Sequence, residues 1–470
     1  MSYLKRIEAV GIYESFDIYQ EFEPGINILH GVNGVGKTTL MHILANILNG
    51  DYARFSHIKF HSIQVELSDG MKISIDWNYQ KDTLVVSRFG RRRKIEIPAF
   101  QIREQDLATK QELLKSSFQG YAMPLPTSYF PAFRGMLEGW LHLNDSEDRN
   151  FTGINQENQR AEAIYYARKI FGQFIPSFNY PSPQEVENKL GIELQEARLT
   201  VARVDREVLS RSLSRILASL LPAETNSTGE VEEILVQIKT ISSKIQAYPF
   251  ETVSVASIET EVHNILQSSQ SQDPALRRIL VHILDTYRSL LEEILSAQEE
   301  AFSEIYKYIN SVNYLLKGKS LKIFSNQDVV LEELVRFVFN NGKSNEVQNL
   351  SSGERQIVTL LYAAYASSER LILIDEPEIS LHIDWQRNLL SKMSEYLQDR
   401  QLIVCTHSPE IAADFNFKEL NVVSTDPKTW SYKEFSNEEN EFSINDFSDS
   451  EFDAEFDDED LVETEDFLNE

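Results

Sequence analysis

Three features of the 470-residue sequence predict an α/β fold that is split in sequence by a helical insert and followed by a disordered acidic tail. Short apolar strands occupy both ends of the first 436 residues, and apolar spacing of three and four residues fills the middle. Residues 437–470 carry sixteen Asp or Glu and no Lys or Arg, a composition that cannot bury a core. The expected division is an N-terminal lobe over 1–150, an insert or arm over 151–319, a C-terminal lobe over 320–436 and the tail over 437–470.

The N-terminal lobe reads as strands with one helix. Strands are expected at 4–12, 18–22 and 25–29, and a helix from Lys37 to Leu48 stops at Asn49-Gly50, a residue pair that ends helices. Alternating segments follow at 57–67, 72–77, 83–88 and 94–98, with Asp69-Gly70 as a hairpin turn, and 129–133 reads as one more strand. In the insert, Val186, Leu190, Leu194, Ala197 and Val201 share one helical face. A second series from Leu276 to Val312 predicts a helix of about 40 residues, roughly 60 Å long. The Pro- and Gly-containing break at 222–229 makes at least two passes, which predicts an antiparallel helical arm. The α/β pattern then resumes, with strands at 321–324, 371–375 and 402–405 and helices at 353–367 and 384–397.

Composition removes several function classes. The net charge is −28, and without the sixteen tail carboxylates −12 remains on the other 436 residues, which argues against a broad nucleic-acid-binding face. The most apolar stretch, 357–366, is half the roughly 20 residues needed to cross a bilayer, so no membrane contact is expected. The first residues show no leader pattern. Cys405 is the single cysteine, which rules out an intrachain disulfide framework and cysteine-based metal sites and suits a reducing cytoplasm.

Four motifs carry chemistry. Gly31-Val32-Asn33-Gly34-Val35-Gly36-Lys37-Thr38, with Thr39 beside it, lies where a strand ends and a helix begins. Gly31, Asn33, Gly34 and Gly36 let backbone N–H groups turn inward around phosphates, and the helix N-terminus adds positive potential. Lys37 is expected to reach the β- and γ-phosphates, and Thr38 to hold Mg²⁺. The apolar strand ending at Asp375 places a metal-side carboxylate next to Glu376, which is positioned to polarise an attacking water. Ser351-Ser352-Gly353-Glu354 opens another helix and forms a second anion cradle. Two cradles do not fit easily on one phosphate, so the economical geometry is two protomers head to tail. His407, at the end of the next strand, is the expected γ-phosphate contact.

With these motifs in this order, the sequence resembles the ABC-type ATPase heads of the RecF, SMC, Rad50 and OLD kind, over roughly 1–135 and 320–425. The resemblance makes residues 31–38 a Walker A motif, 350–354 the signature, Asp375 and Glu376 the Walker B carboxylates, and His407 the switch histidine. Ser380 and His382 fill the D-loop. It implies ATP and Mg²⁺ as cofactors, an ABC-type P-loop head, and ATP-driven dimerisation. Heads of this kind usually carry a glutamine that links Mg²⁺ to the arm. Arg134 stands at the matching place here, and Gln101 and Gln105 are alternatives.

The short insert resembles the compact ATPase subunits of antiphage systems such as Septu and PARIS. That layout implies a homo-oligomer, from a head-to-tail dimer up to a hexamer, together with an effector nuclease and a phage trigger protein. DNA as a partner is left open. The rival reading, a RecF-like repair ATPase clamping DNA between dimerised heads, would need a broad basic face. Two further segments point to partners: the basic tip Arg88-Phe89-Gly90-Arg91-Arg92-Arg93-Lys94, and Phe442, Phe447, Phe452, Phe456 and Phe467 spaced through the acidic tail. The tail is expected to dock in a basic groove on a neighbour or effector.

Overall fold

The computed structural model describes residues 2–88, 94–98, 124–135, 154–178, 181–219, 231–248, 274–323, 335–339, 342–345, 347–420 and 422–424. Before the insert come β1 (Leu4–Ile12), β2 (Phe16–Glu21), β3 (Ile26–His30), α1 (Lys37–Leu48), β4 (Ser62–Leu67), β5 (Lys72–Asn78), β6 (Thr83–Arg88), β7 (Lys94–Pro98) and β8 (Thr127–Phe130). The insert holds α2 (Ile154–Phe171), α3 (Pro183–Ser219), α4 (Val231–Gln246) and α5 (Pro274–Leu315). After it come β9 (Lys319–Ile323), β10 (Val335–Phe339), β11 (Ser344–Asn345), α6 (Ser352–Ala366), β12 (Leu371–Asp375), α7 (Ile383–Leu397), β13 (Gln401–Thr406), β14 (Phe417–Glu419) and β15 (Val422–Ser424).

Five strands pair in parallel in the order β14-β3-β13-β12-β8. Every residue of β12 and β13 is buried, as continuous apolar runs in a covered parallel sheet should be. Helix α1 lies against β8, β12 and β13. Strands from both sides of the insert therefore interleave in one sheet. A second sheet, β15-β2-β1-β4-β5-β6-β7, is antiparallel and alternates buried with exposed residues, as in β4. A three-stranded antiparallel sheet, β11-β10-β9, follows the insert.

The insert builds on α5, whose 42 residues reach about 63 Å. Helices α3 and α4 both pack along it. The part nearer the sheets, with Leu190, Leu194, Phe302, Tyr308 and Val312, belongs to the main core, whereas Ile238, Val281, Leu284 and Leu291 belong to a separate cluster. The insert's residues thus divide between the main core and a separate cluster of their own. No helix among the described residues is long and apolar enough to cross a membrane.

Several expected boundaries move. The strand expected at 57–67 begins only at Ser62, because Tyr52–His57 winds into a 3₁₀ turn that buries Tyr52 and Phe55. The strand expected at 129–133 spans Thr127–Phe130, since Pro131 has no N–H to donate and the chain turns there. Helix α2 went unpredicted because its apolar residues lack a sustained helical period. The basic tip at 89–93, Gln101, Gln105 and the tail lie outside the described residues.

Candidate functional site

The four motif-bearing strands of the parallel sheet all end on the same edge. Register pairs Thr406 with His30, Asp375 with Cys405 and Ile374 with Phe130. The loops leaving β3, β12, β13 and β8 therefore emerge together, bringing residues 31–38, Glu376, His407 and Arg134 to one place. Ligands favour this carboxyl edge because backbone groups and helix N-termini converge there.

The β3–α1 loop has the conformation its glycines allow. Gly34 and Gly36 take φ of 83° and 99°, a region other residues enter only at a cost. A Cβ on Gly36 would lie 3.2 Å from the Phe16 ring, so the β1–β2 hairpin braces the loop. The Lys37 ammonium is buried and donates to the carbonyls of Gly31 (2.7 Å) and Val32 (3.1 Å), which fixes it inside the loop. Val32, Asn33, Gly34 and Thr38 are exposed, and Gly31 and Thr39 partly so. Tyr13, at the tip of the same hairpin, has φ of 51°, keeps 46% exposure and lies near Thr39. The sequence gives no local signal for Tyr13, because only the hairpin fold carries it to the loop.

Thr38 Oγ1 donates to Asp375 Oδ2 at 2.7 Å, joining residues 337 positions apart. Asp375 is fully buried, and its other oxygen, Oδ1, has no hydrogen-bond partner. Burial pushes this carboxyl up to about 6, while the Thr38 hydrogen bond pulls the other way. A buried carboxylate with a free oxygen next to a hydroxyl is a hard-oxygen donor set that fits Mg²⁺, which would also stabilise the ionised form.

Beyond Asp375 the chain makes a strained turn, with Glu376 at φ 47° and Ser380 at φ 65°. The Glu376 N–H donates to the Cys405 carbonyl at 2.8 Å, continuing the β12–β13 pairing by one step. His407 Nδ1 lies 3.8 Å from Glu376 Oε1 and 3.0 Å from Glu378 Oε1. Glu378 is 6% exposed and was not singled out from the sequence. Arg134, also buried, donates to the carbonyls of Asp375 (2.9 Å), Glu376 (3.0 Å) and Pro131 (3.0 Å). Arg134 is thus bonded to the backbone at Asp375 and Glu376, while Gln101 and Gln105 lie outside the described residues.

The signature turn is built as a helix cap. Ser351 caps α6 by accepting from the Glu354 N–H, and the Ser351 N–H donates back to the Glu354 carboxylate at 2.7 Å, forming a capping box. Lys319 donates to Glu354 at 2.7 Å, which holds its carboxyl below the usual range against the effect of burial. Gly353 packs so closely on the D-loop that a Cβ would fall 2.3 Å from the Ser380 carbonyl. Gln356 adds a bond to the Pro377 carbonyl at 3.0 Å. His382 caps α7. Ser351 and Ser352 are exposed, so the turn expected to be a second cradle lies at the surface.

An AAA ATPase domain family profile (AAA_15) matches residues 13–412, most of the chain. The chain belongs to this family. Among curated relatives, it is 26% identical over 147 residues to the retron Ec83 probable ATPase of Escherichia coli, covering 28% of this chain and 24% of that protein. It is 27% identical over 100 residues to the retron Vc95 probable ATPase of Vibrio cholerae serotype O1 biovar El Tor, covering 18% and 20%. The matches thus span a quarter or less of those relatives' length. The SMC head domain of Pyrococcus furiosus with an extended coiled coil, bound to the C-terminal domain of ScpA, is similar at TM-score 0.39 and 12% identity, covering 91% of this chain and 97% of that one. The SMC head domain of Pyrococcus yayanosii gives TM-score 0.34 and 14% identity, covering 91% and 98%.

Proposed function

We propose that this AAA ATPase domain protein hydrolyses ATP at a site shared by two head-to-tail protomers. In this reading it acts as a sensor and scaffold that holds and controls a separate effector nuclease in antiphage defence. The observation that carries the ATPase reading is the Thr38–Asp375 bond, which ties the P-loop helix to a buried carboxylate adjoining Glu376. The defence reading draws support from the resemblance to compact antiphage ATPase subunits and from the matches to retron ATPases.

In this mechanism the P-loop N–H groups and Lys37 grip the triphosphate. Thr38 and Asp375 would hold Mg²⁺, which would offset negative charge between the β- and γ-phosphates. Glu376 accepts a proton from the attacking water, and His407 contacts the γ-phosphate from the neighbouring strand. The partner protomer closes the site with its Ser351, Ser352 and Gly353 cradle. A nucleotide thus joins the two copies, and its loss lets them part. The nuclease and the phage trigger are the partners this switch would serve.

Two substitutions separate binding from chemistry. Glu376→Gln is expected to retain ATP and stabilise the dimer while lowering turnover by about 10²-fold or more, since only the base is removed. Lys37→Ala is expected to abolish nucleotide binding. Filter binding and light scattering with ATP read both outcomes. Equally weak ATP retention in the two variants would refute the roles assigned to them.

A further inference from the structure

Glu378 is a buried carboxylate that the mechanism above does not use. Its Oε1 gathers donors from one short segment: Thr406 Oγ1 at 2.6 Å, the His407 N–H at 2.9 Å and the Ser408 N–H at 3.2 Å. The His407 ring brings Nδ1 to 3.0 Å from the same oxygen. Glu378 Oε2 is buried with no hydrogen-bond partner. A neutral amide could accept the same backbone donors without burying an uncompensated charge. The carboxylate thus does something that the tie alone does not require.

We propose that Glu378 is a positioning residue that orients the His407 ring. This rests on the ATPase reading of the site. Its carboxylate keeps the proton of His407 on Nδ1, so Nε2 is the nitrogen left to face the nucleotide. It also fastens Thr406–Ser408 to the turn that carries Glu376, so the base and the ring move as one unit. The turn is also tied to itself: Glu376 and Ser380 sit at positive φ on either side of Glu378, and the Leu381 N–H donates to the Glu378 carbonyl. Ser408 Oγ is tied in turn to Gln386 of α7 at 2.7 Å, which links the ring's segment to the helix behind the D-loop. A carboxylate three residues past the Walker B aspartate therefore sets the geometry of a histidine on another strand.

The test is Glu378→Gln in the full-length chain, read in two ways. In nucleotide assays the variant is expected to lose about tenfold in kcat with KM for ATP within twofold, since the P-loop is untouched. In a His407→Ala background the same change is expected to cost less than twofold, because the two residues act through one ring. An equal tenfold loss in both backgrounds, or no loss in either, would overturn the proposal. Absence of ATP turnover by the wild-type protein would instead count against the ATPase reading. The second readout needs no turnover. In ¹⁵N-histidine-labelled protein, with the His407 signals assigned by their loss in His407→Ala, two-bond ¹⁵N–¹H couplings should show the proton on Nδ1. Those signals should shift in Glu378→Gln, and an unchanged pattern would contradict the assignment directly.

Discussion

At the residue scale, the back of the P-loop helix holds a histidine under stress. His42 on α1 packs edge-on against Tyr129 (5.5 Å between ring centroids) and Phe174 (6.1 Å), and its Nε2 has no hydrogen-bond partner. Burial lowers its pKa from 6.5 to about 4. The folded form thus holds His42 neutral where the unfolded chain would protonate it. The stabilising difference is present above pH 6.5 and is lost progressively as pH falls toward 4. Between pH 7.5 and 5 this group alone should cost about 2 kcal/mol of folding stability. Urea unfolding of His42→Leu at the two pH values should show a correspondingly smaller drop than wild type, and equal drops would disprove the assignment. Lys37, Thr38, Asp375, Glu376 and His407 could each be named as candidates from the sequence, because they sit in short motifs at strand ends, and the structure brings them to one edge of the sheet. Tyr13 and Glu378 could not, because their proximity to the site depends on a hairpin and on strand register.

At the element scale, the signature helix is coupled to the arm through aromatic residues. Tyr362 and Tyr365 on α6 donate to the two oxygens of Glu193 on α3, at 2.7 and 2.8 Å. Tyr308 on α5 donates to the Val358 carbonyl at 3.0 Å and stacks on Tyr365. At the foot of α5, Trp385 Nε1 donates to the Leu315 carbonyl at 2.7 Å, and Lys317 pairs with Asp384. Burial and the Glu193 carboxylate push both tyrosine hydroxyls well above their usual range, so they remain donors. Glu193→Ala would leave two hydroxyls short of an acceptor and should cost about 2 kcal/mol in urea unfolding. It should also loosen the link between arm and signature turn, lowering kcat while ATP binding persists. Unchanged stability and turnover would show that the cluster is only filler. Apart from α2, whose apolar residues keep no helical period, the long helices were legible from apolar spacing, and the second pass was expected almost to its length. The Glu193 clamp was not, since its partners lie some 170 positions apart and periodicity reports a face, not what covers it.

At the scale of the whole molecule, both segments expected to be anion cradles are open. The P-loop exposes Val32, Asn33 and Gly34, and the signature turn exposes Ser351 and Ser352 while Gly353 is pinned against the D-loop. Such surfaces are expected where a second copy completes each nucleotide site, with two-fold symmetry making both sites equivalent. The sequence led us to expect two cradles; the interleaved strand order, with β3 and β8 from one side of the insert and β12 and β13 from the other, shows how one sheet edge gathers residues 31–38, Arg134, Glu376 and His407. Subunit mixing tests the shared site most directly. Lys37→Ala removes the P-loop grip, and Ser352→Arg blocks the signature cradle, so each variant alone should be inactive. In a mixed dimer both defects fall in one site and leave the other intact. Equimolar mixing should therefore restore about a quarter of wild-type ATP hydrolysis. A mixture as inactive as its components would mean that each protomer completes its own site, which contradicts the account.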